Sequence, residues 1–168
     1  IVQAYLDWCR QAPEKKAVVI YDTMWHSTEK MAEAIHAGIA AEGVPAKPMN
    51  LRTWHRSEVM TEVFDARAVV VGSPTLNNGM FPTVADFLCY LKGLKPKNKI
   101  GAAFGSYGWS GEAVKLVENE LTEMKIELVQ PGLRTQFVPE KPALDACHEF
   151  GRTIGRAVAA ASAAGSRA

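Results

Sequence analysis

The apolar residues of this chain follow two patterns that alternate along the sequence. Runs such as 17–21, 68–72 and 99–105 are continuous and rich in β-branched or small residues, which indicates strands buried on both faces. Between the runs, apolar residues recur at helical spacing, as Met31 and Ile35 do. Strands are therefore predicted at 17–21, 46–51, 68–72, 99–105 and 126–138, the last broken at 131–132. Helices are predicted at 28–42, 83–91, 112–124 and 144–161, with a helical turn or helix within 52–65.

This alternation predicts the α/β class, with a doubly wound five-stranded parallel sheet covered by helices on both faces. The rhythm is compatible with the strand order 2-1-3-4-5. In that architecture a ligand binds beyond the carboxyl ends of the strands, at the switch point between the first and third strands. The loops after strands one, three and four are therefore the expected position of a site.

The chain begins without methionine, on an apolar stripe at helical spacing that comprises Val2, Tyr5, Leu6 and Cys9. Pro13 and the charged residues after it are expected to end this helix before the first strand. We expect residues 1–15 to be a helical connection from a preceding domain, residues 16–161 to form the domain, and residues 162–168 to be a loose tail. The chain is accordingly expected to be a piece of a longer protein.

Composition narrows the class of function. A chain of 168 residues with 48% hydrophobic and 22% charged residues suits one globular domain. The net charge of +1 and the absence of a long basic run argue against nucleic acid as a partner. No apolar stretch approaches the roughly 20 residues that a membrane span needs, and no signal peptide is evident.

Neither cysteine nor histidine spacing predicts a metal site. The cysteines are far apart, odd in number and without a Cys-x-x-Cys pair, which favours reduced thiols and a cytoplasmic protein. The histidines form no carboxylate-rich cluster and are expected to be surface or packing residues: His26, His36, His55 and His148.

The loop after the first strand is the first candidate for ligand binding. It comprises Thr23, Met24, Trp25, His26, Ser27 and Thr28 and leads into a predicted helix, whose first N–H groups lack intrahelical partners. Those N–H groups, the helix dipole and three hydroxyls could bind an anion such as phosphate. The loop has no Lys or Arg, which argues against a nucleoside triphosphate site. Taken alone, Ser27 or Thr28 could simply cap the helix.

Two further loops are predicted at the same edge of the sheet. One comprises Ser73, Pro74, Thr75, Leu76, Asn77, Asn78 and Gly79, and its Asn-Asn-Gly turn can take positive φ. The other comprises Ser106, Tyr107, Gly108, Trp109, Ser110 and Gly111, whose two aromatic rings could stack on a flat ligand. Together the three loops predict a flat, phosphorylated ligand, and no side chain is predicted to act as acid, base or nucleophile.

These segments resemble the FMN site of flavodoxins. The resemblance is narrower to the flavodoxin-like domain of flavodiiron proteins (A-type flavoproteins), especially the rubredoxin:oxygen oxidoreductases, and rests on YDTMWHST at 21–28, SPTLN at 73–77 and SYGWSG at 106–111. It implies that Thr23, Ser27 and Thr28 hold the FMN phosphate, with Met24 to His26 as a wall. Residues 74–77 and 107–109 would then lie along the two sides of the isoalloxazine. Ordinary flavodoxins usually have Gly where His26 stands, so a positive φ there would carry strain.

The same resemblance implies a role. In that family the FMN domain accepts electrons from a donor such as rubredoxin and passes them to a diiron centre in a metallo-β-lactamase-like domain, where O2 or NO is reduced. The diiron domain would precede Ile1, and head-to-tail assembly would bring the FMN of one subunit to the diiron centre of another. This chain alone would be the electron-transfer module of a larger oxidoreductase.

Two other functions fit the predicted fold. A stand-alone NAD(P)H:quinone reductase would share the FMN loops, although the helical lead-in counts against it. A receiver domain of a response regulator has the same strand order, but needs a phosphoryl-accepting Asp after strand three, where this chain has Gly72 and Ser73. Asp22 is therefore expected to shape the turn after strand one.

The ring-side loops lack negative charge. No Asp or Glu occurs in 66–85 or in 99–111. Because a nearby carboxylate would repel an added electron, neutral loops should make full reduction of a bound flavin easier.

Overall fold

The computed structural model describes residues 2, 6, 9 and 11–165, and within them the predicted alternation of strands and helices is present. The strands are β1 (Glu14–Tyr21), β2 (Ala46–Asn50), β3 (Ala66–Gly72), β4 (Thr75–Leu76), β5 (Gly79–Met80), β6 (Ile100–Tyr107), β7 (Glu127–Leu128) and β8 (Leu133–Gln136). The helices are α1 (Ser27–Ala41), α2 (Arg56–Asp65), α3 (Pro82–Gly93), α4 (Ala113–Glu123) and α5 (Lys141–Gly165).

The main sheet is parallel and confirms the predicted strand order. Its order is β2-β1-β3-β6, and both β7 and β8 pair with β6 beyond it. The two short strands together take the place of the predicted fifth strand, because the chain breaks between them around Pro131 and Gly132. Strands β4 and β5 form a separate antiparallel hairpin that the apolar pattern did not predict.

Both faces of the sheet are covered, which explains why the central strands are continuously apolar. Val18 and Ile20 of β1 pack into one buried cluster with residues of α2, α3 and α4. Val19 and Tyr21, one position along, pack into the other with residues of α1 and α5. Residues 17–21 of β1 are therefore all buried, on one face of the sheet or the other.

The ends of the chain differ from the prediction in their bounds. Strand β1 begins at Glu14, three residues before the predicted 17, because its first residues are charged and partly exposed and so lack the apolar signal. Helix α5 runs to Gly165, beyond the predicted end at 161. In the predicted lead-in helix, Val2, Leu6 and Cys9 are helical and exposed, and Tyr5 lies outside the described residues. At the other end of the chain, residues 166–168 of the predicted tail also lie outside the described residues.

The register of the central strands brings the three candidate loops to one edge. Tyr21 of β1 pairs with Gly72 of β3, and Gly72 pairs with Phe104 of β6. The carboxyl ends of these strands therefore coincide, and β8 joins them because Gln136 pairs with Tyr107. Gly72 is required at this position, since a Cβ there would lie 2.2 Å from the ring of Phe104.

Candidate cofactor site

The three loops enclose a cleft of about 490 Å³ at the carboxyl edge of the sheet. This volume lies within the range of pockets that hold small molecules. Its walls come from the loops after β1, β3 and β6 and from the residues that follow β8. The lining residues are Met24, Trp25, Ser27, Pro74, Thr75, Leu76, Asn77, Ser106, Tyr107, Gly108, Trp109, Phe137 and Val138.

The remaining predicted site residues lie in the same loops but outside the lining of the cleft. They are Thr23, His26, Thr28, Ser73, Asn78, Gly79, Ser110 and Gly111. Several of them have partners within the loops, which indicates that they shape the cleft. Thr23 and His26 differ from these, because they lie in the β1–α1 loop that is predicted to bind an anion.

The β1–α1 loop contains a buried hydroxyl that has no partner. Thr23 is 5% exposed, and its Oγ1 makes no hydrogen bond to any part of the chain that the structure describes. By contrast, Thr28 Oγ1 lies 2.9 Å from Ser106 Oγ, and this buried contact ties the first loop to the third. Because an unsatisfied buried hydroxyl costs about 1–3 kcal/mol, the Thr23 hydroxyl indicates a ligand that the loop is built to bind.

The start of α1 is left open in the same loop. The residue before the helix, His26, has φ 63° and ψ 3°, which is the left-handed conformation that carries strain in a residue other than glycine. No side chain among the described residues caps the helix there. The first N–H groups of α1 are therefore free of side-chain acceptors and can bind an anion.

Asp22 shapes the turn, as expected. Its buried carboxylate accepts the N–H of Thr23 at 2.6 Å and the hydroxyl of Thr83, and it pairs with Arg52 Nε at 2.8 Å. These donors on three different segments hold the carboxylate in place. Its charge is thus compensated within the protein.

The β3–α3 loop forms the β4–β5 hairpin on one side of the cleft. The predicted turn is present, and its positive φ values fall on Asn77 (49°) and Asn78 (57°). Ser73 is committed to this loop, because its hydroxyl accepts the N–H of Phe81 at 2.8 Å and donates to the carbonyl of Pro74 at 2.9 Å.

The β6–α4 loop forms the opposite side. Gly111 has φ 79°, and a Cβ there would lie 3.0 Å from the ring of Tyr107, so both the backbone and the contact require glycine. Ser110 Oγ reaches Asn78 Oδ1 at 3.3 Å and so links this loop to the hairpin. Trp109 is 96% exposed, so its ring is free to contact a ligand or a partner.

Phe137 and Val138 line the cleft but were not predicted as site residues. They follow β8, whose carboxyl end lies at the same edge as that of β6. The apolar pattern extends the predicted strand, broken at 131–132, as far as residue 138, so it does not predict a loop at Phe137 and Val138. An apolar pair directly after the strand was the signal available, and Phe137 is 63% exposed.

A second cleft of about 420 Å³ lies between the β2–α2 loop and the start of α3. None of the three candidate loops lines it. Its charged residues Arg56 and Asp86 pair with each other at 3.0 Å, so the two charges already compensate each other. The first cleft is the better candidate.

Among the residues that the structure describes, no group of three or more His, Cys, Asp or Glu side chains is placed to hold a metal ion. None of the described helices is both long enough and apolar enough to cross a membrane. Cys9, Cys89 and Cys147 are free thiols, and burial raises the pKa of Cys147 to about 11.

The sheet order, the open helix start and the cleft between ring-side loops define a flavodoxin-like domain with a site for a flat, phosphorylated cofactor. The chain belongs to the flavodoxin family, which residues 19–151 match.

Similar proteins carry this domain within longer chains. The nitric oxide reductase of Moorella thermoacetica is 48% identical over 160 residues, which cover 95% of this chain and 40% of that protein. The solved rubredoxin oxygen:oxidoreductase of Desulfovibrio gigas is 44% identical with a TM-score of 0.94, over 96% of this chain and 40% of that one. The flavodiiron protein of Giardia intestinalis is 31% identical with a TM-score of 0.91, over 95% and 40%. This chain thus spans about 40% of the length of these relatives.

The family and these relatives imply FMN as the cofactor, and the cleft fits it. The unpartnered Thr23 hydroxyl and the open start of α1 suit a phosphate, and the space between the hairpin and Trp109 suits a flat ring. When bound, FMN supplies electron transfer in one- or two-electron steps.

Proposed function

We propose that this chain is the FMN-binding electron-transfer domain of a larger oxidoreductase of the flavodiiron type. The observation that carries the proposal is the cleft, because it combines an anion-binding helix start with exposed aromatic side chains at the switch point of the sheet. The similar nitric oxide reductase and rubredoxin oxygen:oxidoreductase, of which this domain is only a part, support the larger context.

Each side of the cleft has its own task in this proposal. Thr23, Ser27 and the first N–H groups of α1 bind the phosphate. Residues 74–77 and 107–109 hold the two sides of the ring system, and Phe137 closes the end of the cleft. No residue exchanges a proton or forms a bond, so the work of the protein is to orient the cofactor and to limit its contact with water.

The rim of the cleft supports a docking role. Trp25, Trp109, Phe137 and Val138 are 80%, 96%, 63% and 57% exposed, and exposed apolar side chains grouped in this way mark a contact surface. We assign this surface to the diiron domain of another subunit in a head-to-tail oligomer. Electrons enter from rubredoxin or a similar donor and leave to the diiron centre, where O2 or NO is reduced.

We also place the whole protein in the cytoplasm. Cys9 and Cys89 are exposed free thiols, which persist most readily in a reducing compartment.

A flavin titration tests the central proposal. FMN is added to the purified chain, stripped of flavin, while its fluorescence and visible absorption are followed. Stoichiometric quenching is expected, with weaker binding for Trp109→Ala at the ring and for Ser27→Ala at the phosphate. Trp54→Ala is the matched control, since Trp54 lines the second cleft. A well-folded chain that failed to bind FMN would overturn the proposal.

A further inference from the structure

Two helices of this molecule begin with nearly the same sequence. WHSTE at 25–29 precedes and opens α1, and WHRSE at 54–58 precedes and opens α2. In both, a histidine stands just before the first helical residue and a glutamate is the third helical residue. The two starts are nevertheless built differently.

The start of α2 is closed by its own side chains. His55 has φ −68° and ψ 141°, and its ring accepts the N–H of Ser57 at 3.3 Å. Glu58 turns back and accepts the N–H of His55 at 3.1 Å. This reciprocal arrangement is a capping box, which satisfies two N–H groups that the helix leaves free.

The start of α1 lacks both of these bonds. Its glutamate, Glu29, accepts instead from His26 Nδ1 at 2.6 Å through one oxygen and from the hydroxyl of Tyr21 at 3.4 Å through the other. Tyr21 is buried at the end of β1, whereas His26 is held outside by its left-handed backbone. Both oxygens of Glu29 are therefore engaged away from the first turn of the helix.

The position of Glu29 matters because a glutamate at the third helical residue is the natural competitor of a bound anion. It can reach the same N–H groups, and its negative charge repels a phosphate dianion. The Thr23 hydroxyl of the same loop is 5% exposed and unpartnered within the described residues, so it is a second, independent polar group that a ligand at this helix start can bind.

We propose that His26 and Tyr21 are positioning residues that hold the Glu29 carboxylate off the first turn of α1 and so keep its N–H groups free for the FMN phosphate. This inference rests on the proposed function, because it assigns the phosphate end of the same site. In this proposal the side chain of His26 has a role of its own, in addition to the strained backbone conformation of the residue. Its ring suppresses the self-capping that closes α2.

The test compares two ligands that differ only in the phosphate. Dissociation constants for FMN and riboflavin are measured by fluorescence quenching for the wild-type chain and for His26→Gly. Glycine adopts positive φ readily, so a purely backbone role for His26 predicts FMN binding as tight as in the wild type or tighter. We expect instead that the FMN dissociation constant rises about tenfold while that of riboflavin changes less than about twofold.

A second substitution identifies Glu29 as the competitor. In His26→Gly/Glu29→Ala the carboxylate is gone, and FMN affinity should return to within about threefold of the wild type. Tyr21→Phe removes the other bond to Glu29 and should weaken FMN binding in the same direction, by about threefold. His55→Gly is the matched control at α2 and should leave both flavins unaffected.

The outcomes separate the two proposals. If the folded wild-type chain bound no FMN, the proposed function itself would fail. If it bound FMN but His26→Gly and Tyr21→Phe weakened FMN and riboflavin equally, or not at all, only the role of His26 and Tyr21 would be overturned. Failure of Glu29→Ala to rescue His26→Gly would also overturn that role.

Discussion

The starts of α1 and α2 show that one short sequence can either close a helix or leave it open. At α2 the backbone of His55 is extended, so the side chains of His55 and Glu58 fold back on the helix. At α1 the backbone of His26 is left-handed, and the same two residue types bind each other outside it. The two starts thus differ both in the dihedral angles of the residue that precedes the helix and in the partners of the glutamate side chain.

Those dihedral angles are set by the chain that enters each helix. Before α2, the side chain of Asn50 accepts the N–H of Arg52 at 2.9 Å, and the turn delivers an extended His55. Before α1, the buried Asp22 holds the N–H of Thr23, and the chain must pass over the ends of β1 and β6. A left-handed residue other than glycine costs about 1–2 kcal/mol, and the open start forgoes its cap as well. The left-handed conformation of His26 and the missing cap of α1 both destabilise the same helix start, and strain concentrated in this way favours a functional role for it.

The largest expected effect is at the unpartnered hydroxyl. Thr23→Val should weaken FMN binding about thirtyfold or more, because a hydrogen bond to a charged group is lost. The free energy of unfolding of the flavin-free chain should stay the same or rise by about 1 kcal/mol, because no partner is orphaned. FMN titration and urea unfolding measure the two quantities.

The matched substitution is Thr28→Val, which removes a hydroxyl that has a partner. It leaves Ser106 Oγ buried without its 2.9 Å contact and should lower the free energy of unfolding by about 1–2 kcal/mol. Equal destabilisation by both substitutions would show that the Thr23 hydroxyl is satisfied without a ligand.

Lys99 sharpens the contrast with Thr23, because it is a buried polar group whose partners are all internal. Its Nζ donates to the carbonyls of Phe64 and Ala66, both at 2.7 Å, and burial lowers its pKa to about 8. The unfolded chain keeps the ordinary pKa near 10.5 and binds the proton between pH 8 and 10.5, so native stability rises with pH there.

We expect urea unfolding to show a gain of about 2 kcal/mol between pH 8 and 10 that Lys99→Met abolishes. Lys97→Met removes an exposed lysine near by and should keep the gain. The measurement should stop near pH 10, because Tyr21, whose pKa is raised to about 12 by burial and by Glu29, opposes the trend above it. A flat profile in the wild type would mean that Lys99 titrates normally.

The ring-side loops, at 73–79 and 106–111, allow the effect of charge on a bound flavin to be tested separately from that of hydrogen bonds. Residues 66–85 and 99–111 carry no carboxylate, and the Glu112 carboxylate that follows them accepts the hydroxyl of Ser110, whereas the phosphate side carries Asp22 and Glu29. Leu76→Asp, which places a negative charge on the lining of the cleft, should lower the midpoint potential of bound FMN by about 60 mV, the equivalent of a tenfold change in a one-electron equilibrium. Leu76→Asn is the neutral control, and an equal shift in both variants would rule out charge as the cause.

The smallest effect compares the two glutamates directly. Glu58→Ala removes half of a capping box and should lower the free energy of unfolding by about 1 kcal/mol. Glu29→Ala should lower it by no more than about 0.5 kcal/mol, since no cap is lost. If urea unfolding gave equal losses, the distinction between an open and a closed start would fail.

Periodicity and chain order are enough to predict the layers of this fold and the edge of the sheet at which the candidate loops lie. Continuous apolar strands require cover on both faces, and chain order then places the loops after β1, β3 and β6 at one edge. That reasoning uses only periodicity and connectivity, which are local properties. It predicts Trp25, Ser27, Asn77 and Trp109 at one edge of the sheet, and in the structure all four line the cleft.

Which polar groups of these loops already have partners among the described residues depends on the folded chain. Ser73 and Thr28 are committed to partners in the protein, Thr23 is not, and Phe137 joins the cleft because β8 pairs with β6. Above all, WHSTE and WHRSE could not be told apart as an open and a closed helix start. Hydrogen-bond partners and backbone dihedral angles depend on segments far apart in the chain, so a local pattern cannot specify them.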